Sequence, residues 1–440
     1  MDTGFRGISH CTNSFATMAS DKETKNIVII GGGIIGCTSA YFLTRHPSYD
    51  PSKHKITLLE STKIAGGASG KAGGLLALWA YPSSIVPLSY RLHKQLAEEH
   101  NGEQRWGYRA VHCAQVECDG RDVPAETAKT NVAGKDDVMS GDNSDVKENV
   151  SLQKRSNEAM AKLRAAGVPP ELDWVHPDGI RTYDEMSTPT DSAQVHPYQF
   201  TTSMAELAKE KGASILEDAP VTNISYAPDG QTVTGVTYTH DGTSKTVPAT
   251  DIVLAAGPWT RSLYPDAPIT GLRAHSVTIR PSRPVSAYAL FTQIRLPSPF
   301  GRNPARAGQI VTPEIYARPH GEVYACGDGD HDLALPATTA EVAVDARRCQ
   351  DVVDFVSAIS PELAAGEVTA RQACYLPNVT GSGSPLIGRT HVAGLWLAAG
   401  HTCWGIQNGP ASGKLVSEFV FEGEARSAEV QGLDPRGFLG

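Results

Sequence analysis

No window of the chain approaches the roughly 18 to 20 consecutive apolar residues of a membrane span. Residues 1–25 also lack the continuous apolar run of a secretory signal. Basic residues are in deficit: 39 Lys and Arg against 48 Asp and Glu leave a formal charge of −9. A nucleic-acid binder needs a basic face to neutralise phosphates, so this balance argues against such a partner. The eight cysteines are scattered at 11, 37, 113, 118, 326, 349, 374 and 403, without the paired close spacing of a zinc site. Several sit in apolar surroundings, as reduced intracellular thiols do. What is left is an ordinary globular composition, 40% apolar and 20% charged, on 440 residues. That length exceeds one usual core and predicts two domains sharing a ligand crevice. Residues 1–25 read as a disordered lead-in, with Met18 an alternative start. Their Ser, Thr and single Arg, Arg6, leave an organelle presequence open beside the expected intracellular, cytoplasmic location.

One short stretch organises the rest. Asn26-Ile27-Val28-Ile29-Ile30 is a run of apolar β-formers that stops at Gly31-Gly32-Gly33 and continues as an apolar helix through Ile34, Ile35 and Gly36. In the pattern Gly31-x-Gly33-x-x-Gly36 the first glycine permits a sharp turn and the second lets backbone approach a pyrophosphate. The third lets the helix lie close on the sheet. The positive N-terminus of that helix then faces phosphate. A second apolar run, Lys55-Ile56-Thr57-Leu58-Leu59, ends on Glu60, where a carboxylate accepts hydrogen bonds from a ribose diol. An acid there favours a free 2′-OH over a 2′-phosphate.

Further along, Ala65 to Leu75 is a second glycine-dense stretch that runs straight into Leu76-Ala77-Leu78-Trp79, as a segment lying flat against a large planar ligand would. Leu88, Leu92 and Leu96 predict a helix over 84–100. Residues 119–157 turn polar and read as a mobile surface excursion with no catalytic role. A helix is predicted over 201–211, strands over 214–217, 221–226 and 231–238, and a buried parallel strand over 251–259 that ends in small residues. The Pro-rich region 270–340 reads as antiparallel. A helix is predicted over 341–359, with Val342, Val344, Val352, Val353, Phe355 and Val356 as its apolar positions. Leu395 to Ile406 reads as strand, Gly-rich turn and the start of a helix running from about Asn408 to Glu422.

With these blocks in place the chain resembles the D-amino-acid-oxidase and sarcosine-oxidase-like group of FAD oxidoreductases, the DAO superfamily, over residues 26–423 apart from the 119–157 insertion. Four blocks stand in that family's order: the turn at 31–36 with Glu60, Gly-Ala-Ser-Gly-Lys-Ala-Gly-Gly-Leu at 67–75, Ala-Ala-Gly-x-Trp at 255–259, and Gly-His-x-x-x-Gly at 400–405. The resemblance implies bound FAD rather than a shuttling nicotinamide. It implies that Gly31, Gly33, Ile34, Ile35 and Gly36 hold the pyrophosphate, that Glu60 with Ser61 holds the adenosine ribose, and that Ser69 and Gly70 hold the diphosphate or ribityl chain. Lys71, Gly73, Gly74 and Leu75 continue along the cofactor, Val221 lies by the adenine, and Ala256, Gly257 and Trp259 border the ribityl side. Gly400, His401, Thr402, Trp404, Gly405 and Ile406 present the flavin N1–C2=O edge with backbone N–H groups, where negative charge develops on reduction.

In one branch of the family a Cys carries the flavin through an 8α-thioether. Cys374 is either that attachment point or a small hydrophobe beside the ring. His401 touches flavin or substrate, or is satisfied by backbone; Tyr375, Trp404 and Trp79 wall the substrate pocket or belong to the core. Two family features are missing. No Lys occurs in Asp332-Leu333-Ala334-Leu335-Pro336, where one assists reaction with O2, and Leu376 stands where an Arg clamps a substrate carboxylate. Arg371, Arg318 and Lys71 are the candidate replacements.

The expected fold is α/β, a two-domain arrangement with a Rossmann-type FAD-binding domain (26–100, 190–265 and 366–425) and a mostly antiparallel substrate or cap domain (101–189 and 266–365), followed by a tail at 426–440. The expected function is oxidation of the C–N bond of an amine or amino acid by hydride transfer to flavin N5. That chemistry needs little acid or base when the amine arrives neutral. O2 or another acceptor takes the electrons. A flavin-bound accessory or trafficking protein on the same fold is the alternative.

Overall fold

The computed structural model describes residues 24–122 and 167–439. The lead-in up to residue 23, and the polar excursion from residue 123 onward, lie outside them. Along the chain the strands used below are β1 (Lys25–Ile30), β2 (His54–Leu59), β3 (His112–Asp119), β4 (Ile180–Ser187), β5 (Ser214–Leu216), β6 (Asp251–Leu254), β7 (Ile269–Arg280), β8 (Tyr288–Arg295), β9 (Ile310–Val311), β10 (Glu314–Arg318), β11 (Glu322–Asp330), β12 (Glu367–Val379), β13 (Leu386–Arg389) and β14 (Leu395–Ala399). The helices are α1 (Ile34–Leu43), α2 (Val86–His100), α3 (Pro197–Glu210), α4 (Ala346–Ser357) and α5 (Gly405–Glu422).

A six-stranded sheet has the order β13-β14-β6-β1-β2-β5, and its central strands are parallel. Both faces of β1 are covered, which is why Ile27 to Ile30 read as an uninterrupted apolar run. Ile27 and Ile29 join a core with residues of α1, α2, α3 and α5. Val28 and Ile30 point the other way, into a core with Ile224 and Val236. Those two belong to a three-stranded antiparallel sheet, Val221–Tyr226, Val233–His240 and Thr243–Pro248, that covers this face. Full burial of each of these side chains contributes about 1.5–3 kcal/mol.

At the end of β1 the chain turns through Gly31 at φ 112°, and a Cβ there would lie 2.4 Å from the Ala255 carbonyl oxygen. Only glycine fits both the dihedral and the space. Gly36 is forced by proximity instead: its Cβ would stand 1.9 Å from the Gly31 carbonyl oxygen, so any side chain would lift α1 off the turn. Helix α5 packs across α1, with the Thr38 hydroxyl donating to the Gly409 carbonyl at 2.8 Å.

A larger eight-stranded sheet runs β12-β7-β11-β10-β8-β3-β4, with β9 on β8. Its pairs are antiparallel except β8 with β3. One face packs on α4 through Val277, Ile279, Ile315 and Val323 against Val352, Val356 and neighbours. The opposite face turns toward the dinucleotide sheet. A small sheet of Leu75–Ala77, Arg109–Ala110 and Ser192–Gln194 joins the two.

Four sequence expectations shift. The strand carrying Cys374, β12, lies within the segment 366–425 expected in the dinucleotide-binding domain, but it pairs along its whole length with β7 in the large sheet. Helix α4 starts at Ala346 because Asp345 caps it, accepting from Arg347 N at 2.8 Å, so Val342 and Val344 fall outside. Helix α3 starts earlier than expected, at Pro197, behind His196 as N-cap. Helix α5 starts at Gly405 rather than near Asn408.

Candidate active site

One cavity of about 500 Å³ extends from the C-terminal ends of β1, β2 and β6 to the inner face of the large sheet. The segments near positions 33, 69, 257 and 402, far apart in sequence, all line it. At the dinucleotide end the first turn of α1 opens on the cavity, so its positive pole and N–H groups favour an anion there. Ser69 Oγ accepts from Ile34 N at 2.9 Å, tying the second glycine-dense stretch to that turn. Glu60 is buried and held: Oε2 accepts from Gly32 N at 2.7 Å and Oε1 from Thr62 N at 3.0 Å and Ser61 Oγ at 3.1 Å. The carboxylate is thereby oriented before any ligand meets it. Val221 and Pro220 line the cavity beside it, and Ala256, Gly257 and Trp259 form a further wall, with Trp259 Nε1 donating to the Pro336 carbonyl at 2.6 Å.

At the other end, alternate residues of the large sheet look into the cavity. Leu272, Ala274 and Ser276 of β7 line it, as do Cys374 and Leu376 of β12, Tyr324 and Cys326 of β11, Glu314 and Tyr316 of β10, and Phe291 of β8. Period-two spacing along each strand puts them on one face. Burial pushes the Cys374 thiol up to about 11, opposed by the Lys71 ammonium beside it. Lys71 Nζ donates to the Ala373 carbonyl at 2.9 Å, and burial lowers its pKa.

The sequence model described as "DAO: FAD dependent oxidoreductase" matches residues 26–419. The chain belongs to this FAD-dependent oxidoreductase family. It is 36% identical to "Putative oxidoreductase TDA3" of Saccharomyces cerevisiae over 95% of both chains. It is 23% identical to a D-amino acid dehydrogenase of Cereibacter sphaeroides over 93% of this chain and 94% of that one. In fold it is similar to glycine oxidase from Geobacillus kaustophilus, with a TM-score of 0.63 at 19% identity over 95% of this chain and all of that one.

For this FAD-dependent oxidoreductase the cavity fits its cofactor. A trench that starts at a helix N-terminus, passes an oriented carboxylate and ends in a chamber walled by rings matches a diphosphate, a ribose and a flat ring in turn. Most residues expected at the cofactor line it, from Gly31, Gly33, Ile34, Ile35 and Glu60 through Ser61, Ser69, Lys71, Gly73, Gly74 and Leu75 to Gly400, Thr402, Trp404, Gly405 and Ile406. Gly36 and Gly70 do not. Each is a packing glycine, and a Cβ on Gly70 would meet the Ala65 carbonyl oxygen at 2.1 Å.

The three residues expected in catalysis separate. Tyr375, next to Cys374 on the strand, necessarily faces the opposite side of the sheet. Its hydroxyl donates to the Leu333 and Ala334 carbonyls at 3.1 and 3.0 Å, so it anchors the 332–336 loop and does not line this cavity. His401 borders the cavity, but its Nε2 meets Ser412 Oγ at 2.8 Å and burial lowers its pKa to about 3. That ring is neutral and engaged with α5. Trp404 does line the chamber, backed by Trp79 at 5.3 Å between ring centroids, and Trp79 stands behind it, outside the cavity wall. Among the candidate replacements for a substrate-clamping Arg, Arg371 is bonded to Gln350 and Arg318 to the Ala72 and Gly73 carbonyls and Glu322; neither lines the cavity. Lys71 alone does. Sequence reasoning missed Phe291, Glu314, Tyr316, Tyr324 and Cys326; the alternation Glu314-x-Tyr316 and Tyr324-x-Cys326 is the signal for the last four.

Proposed function

We propose that the protein oxidises the C–N bond of an amine or amino acid, with bound FAD supplying at N5 the acceptor for a hydride from the carbon next to nitrogen. The observation that carries this reading is the single cavity joining the dinucleotide turn to a chamber walled by Phe291, Tyr316, Tyr324 and Trp404. Such walls exclude water and orient a C–H bond, which is most of what the reaction asks of the protein. The chain's residues also withhold what other chemistries need. His401 is neutral, and burial keeps the Cys374 and Cys326 thiols protonated, so none of these three is an activated nucleophile. The names of the D-amino acid dehydrogenase relative and the glycine oxidase neighbour agree with C–N oxidation.

A second reading concerns the acceptor. No residue of the 332–336 loop lines the cavity and Lys71 is committed to a carbonyl, which favours an acceptor other than O2. Mixing the FAD-loaded protein anaerobically with a panel of amines and amino acids tests both readings. The expected result is loss of the flavin colour with at least one of them, and its slow return on admitting air. Colour that persists with every amine, while dithionite removes it, contradicts the function. Prompt return with stoichiometric peroxide contradicts the choice of acceptor.

A further inference from the structure

One carboxylate sits among the rings of the chamber. Glu314 lines the cavity from β10; its Oε2 accepts from the Tyr316 hydroxyl and from the Cys326 thiol at 3.8 Å, and its Oε1 has no hydrogen-bond partner among the described residues. The register sets Glu314 opposite Cys326, and Cys326 opposite Ser276, so the carboxylate faces the same space as the chamber floor. Around it runs a chain of rings. Tyr324 and Tyr316 lie 5.8 Å apart between centroids, Tyr316 and Phe291 6.2 Å, Phe291 and Trp79 5.8 Å, and Trp79 and Trp404 5.3 Å.

A carboxylate set among ring faces attracts a cation twice over, by charge pairing and through the ring quadrupoles. The opposite charge finds nothing comparable. Among the described residues no Arg lines the cavity. The one cation that does, Lys71, is bonded beside Cys374 on β12, three strand spacings from β10, or about 14 Å. A carboxylate placed against the rings would meet Glu314 unscreened.

We propose that this site selects its substrate as an alkylated ammonium ion, a secondary or tertiary amine in its cationic form, held by Glu314 and by the ring faces of Phe291, Tyr316 and Trp404. On binding, the ammonium N–H proton passes to Glu314 Oε1: the N–H bond breaks, an O–H bond forms, and the amine keeps the electron pair. The neutral amine is the form that can give up a hydride. Burial raises the pKa of Glu314, which suits it to keep that proton. The inference rests on the amine-oxidation reading but concerns recognition, and the two can fail separately.

The test is calorimetric titration of the FAD-loaded protein with tetramethylammonium chloride and, separately, with sodium acetate, on wild type, Glu314→Gln and Phe291→Leu. Flavin absorbance checks that each variant keeps its cofactor. Tetramethylammonium should bind wild type, about tenfold more weakly to Glu314→Gln, and several-fold more weakly to Phe291→Leu; acetate should bind wild type more weakly than tetramethylammonium does. Equal tetramethylammonium affinity in wild type and both variants overturns the inference, as does no binding at all or acetate binding the more tightly. If Glu314-dependent binding is found but no amine removes the flavin colour, recognition stands and the oxidation reading falls. If amino acids remove the colour while tetramethylammonium does not bind, the reverse holds.

Discussion

Ser69 shows how one small side chain couples two distant segments. Its hydroxyl accepts from Ile34 N, acting as a cap supplied from outside α1, at the point where the cavity meets the helix N-terminus. A lost cap costs about 0.5–2 kcal/mol, so Ser69→Ala should weaken FAD binding several-fold while the fold persists. Equilibrium titration of the apoprotein with FAD measures it; unchanged affinity would show that the hydroxyl only fills space. Cys374 lines the cavity with its thiol pushed up to about 11, hence protonated at neutral pH and a poor nucleophile. The flavin should therefore leave with the supernatant on acid precipitation. Colour that stays in the pellet of wild type, and leaves it in Cys374→Ser, would assign the thioether to this residue.

At this scale the sequence was most informative where backbone geometry dictates the residue. Gly31 and Glu60 stand where the motif put them, because turn and carboxylate are each required by the fold. Glu314, Phe291 and Tyr324 were not legible for a physical reason. Their strands alternate core residues such as Ile315 and Val323 with the residues of the cavity face, and alternation alone does not say whether that second face meets solvent or lines a site.

Among the elements, α5 carries the most unusual construction. Pro410 lies inside it and has no N–H to give the Ile406 carbonyl four residues back. His93 of α2 replaces that bond, its Nε2 donating to Ile406 O at 3.0 Å, while burial lowers the His93 pKa to about 4 and keeps the ring neutral. One histidine thus closes the first turn of the helix that ends the Gly400–Ile406 loop. His93→Phe should leave that carbonyl unpaired and cost about 1–3 kcal/mol, read as a fall in the urea midpoint together with weaker FAD binding. A midpoint equal to wild type would mean that the carbonyl finds another donor. Periodicity located α2 through Leu88, Leu92 and Leu96, all buried. It misplaced the start of α4 because Val342 and Val344 mimic a helical stripe where Asp345, as N-cap, sets the boundary. The membership of β12 in the large sheet was equally hidden, since pairing partners are a tertiary property that no local pattern encodes.

For the molecule as a whole, buried neutral histidines set the acid limit. His93 and His401 move from an ordinary value of 6.5 to about 4 and about 3. Below about pH 6.5 the unfolded chain therefore takes up protons that the folded protein refuses, and stability falls on acidification. For two such groups the slope reaches about 2.7 kcal/mol per pH unit. Urea midpoints at successive pH values between 7 and about 5 should drop steeply, and the double variant His93→Gln with His401→Asn should flatten the slope; a level wild-type profile would contradict this. Among the described residues no helix is long and apolar enough to cross a membrane. The α/β architecture, with its dinucleotide sheet facing a mostly antiparallel one, followed from the motif order, but the convergence of four glycine-bearing segments on one cavity needed the fold itself.

The most direct test of C–N oxidation is the rate at which an oxidisable amine removes the flavin colour without oxygen, compared with the same amine carrying deuterium on the carbon next to nitrogen. Cleavage of that C–H bond at the flavin predicts a several-fold slower loss of colour with the labelled amine. Equal rates, or no loss of colour with either, would contradict it.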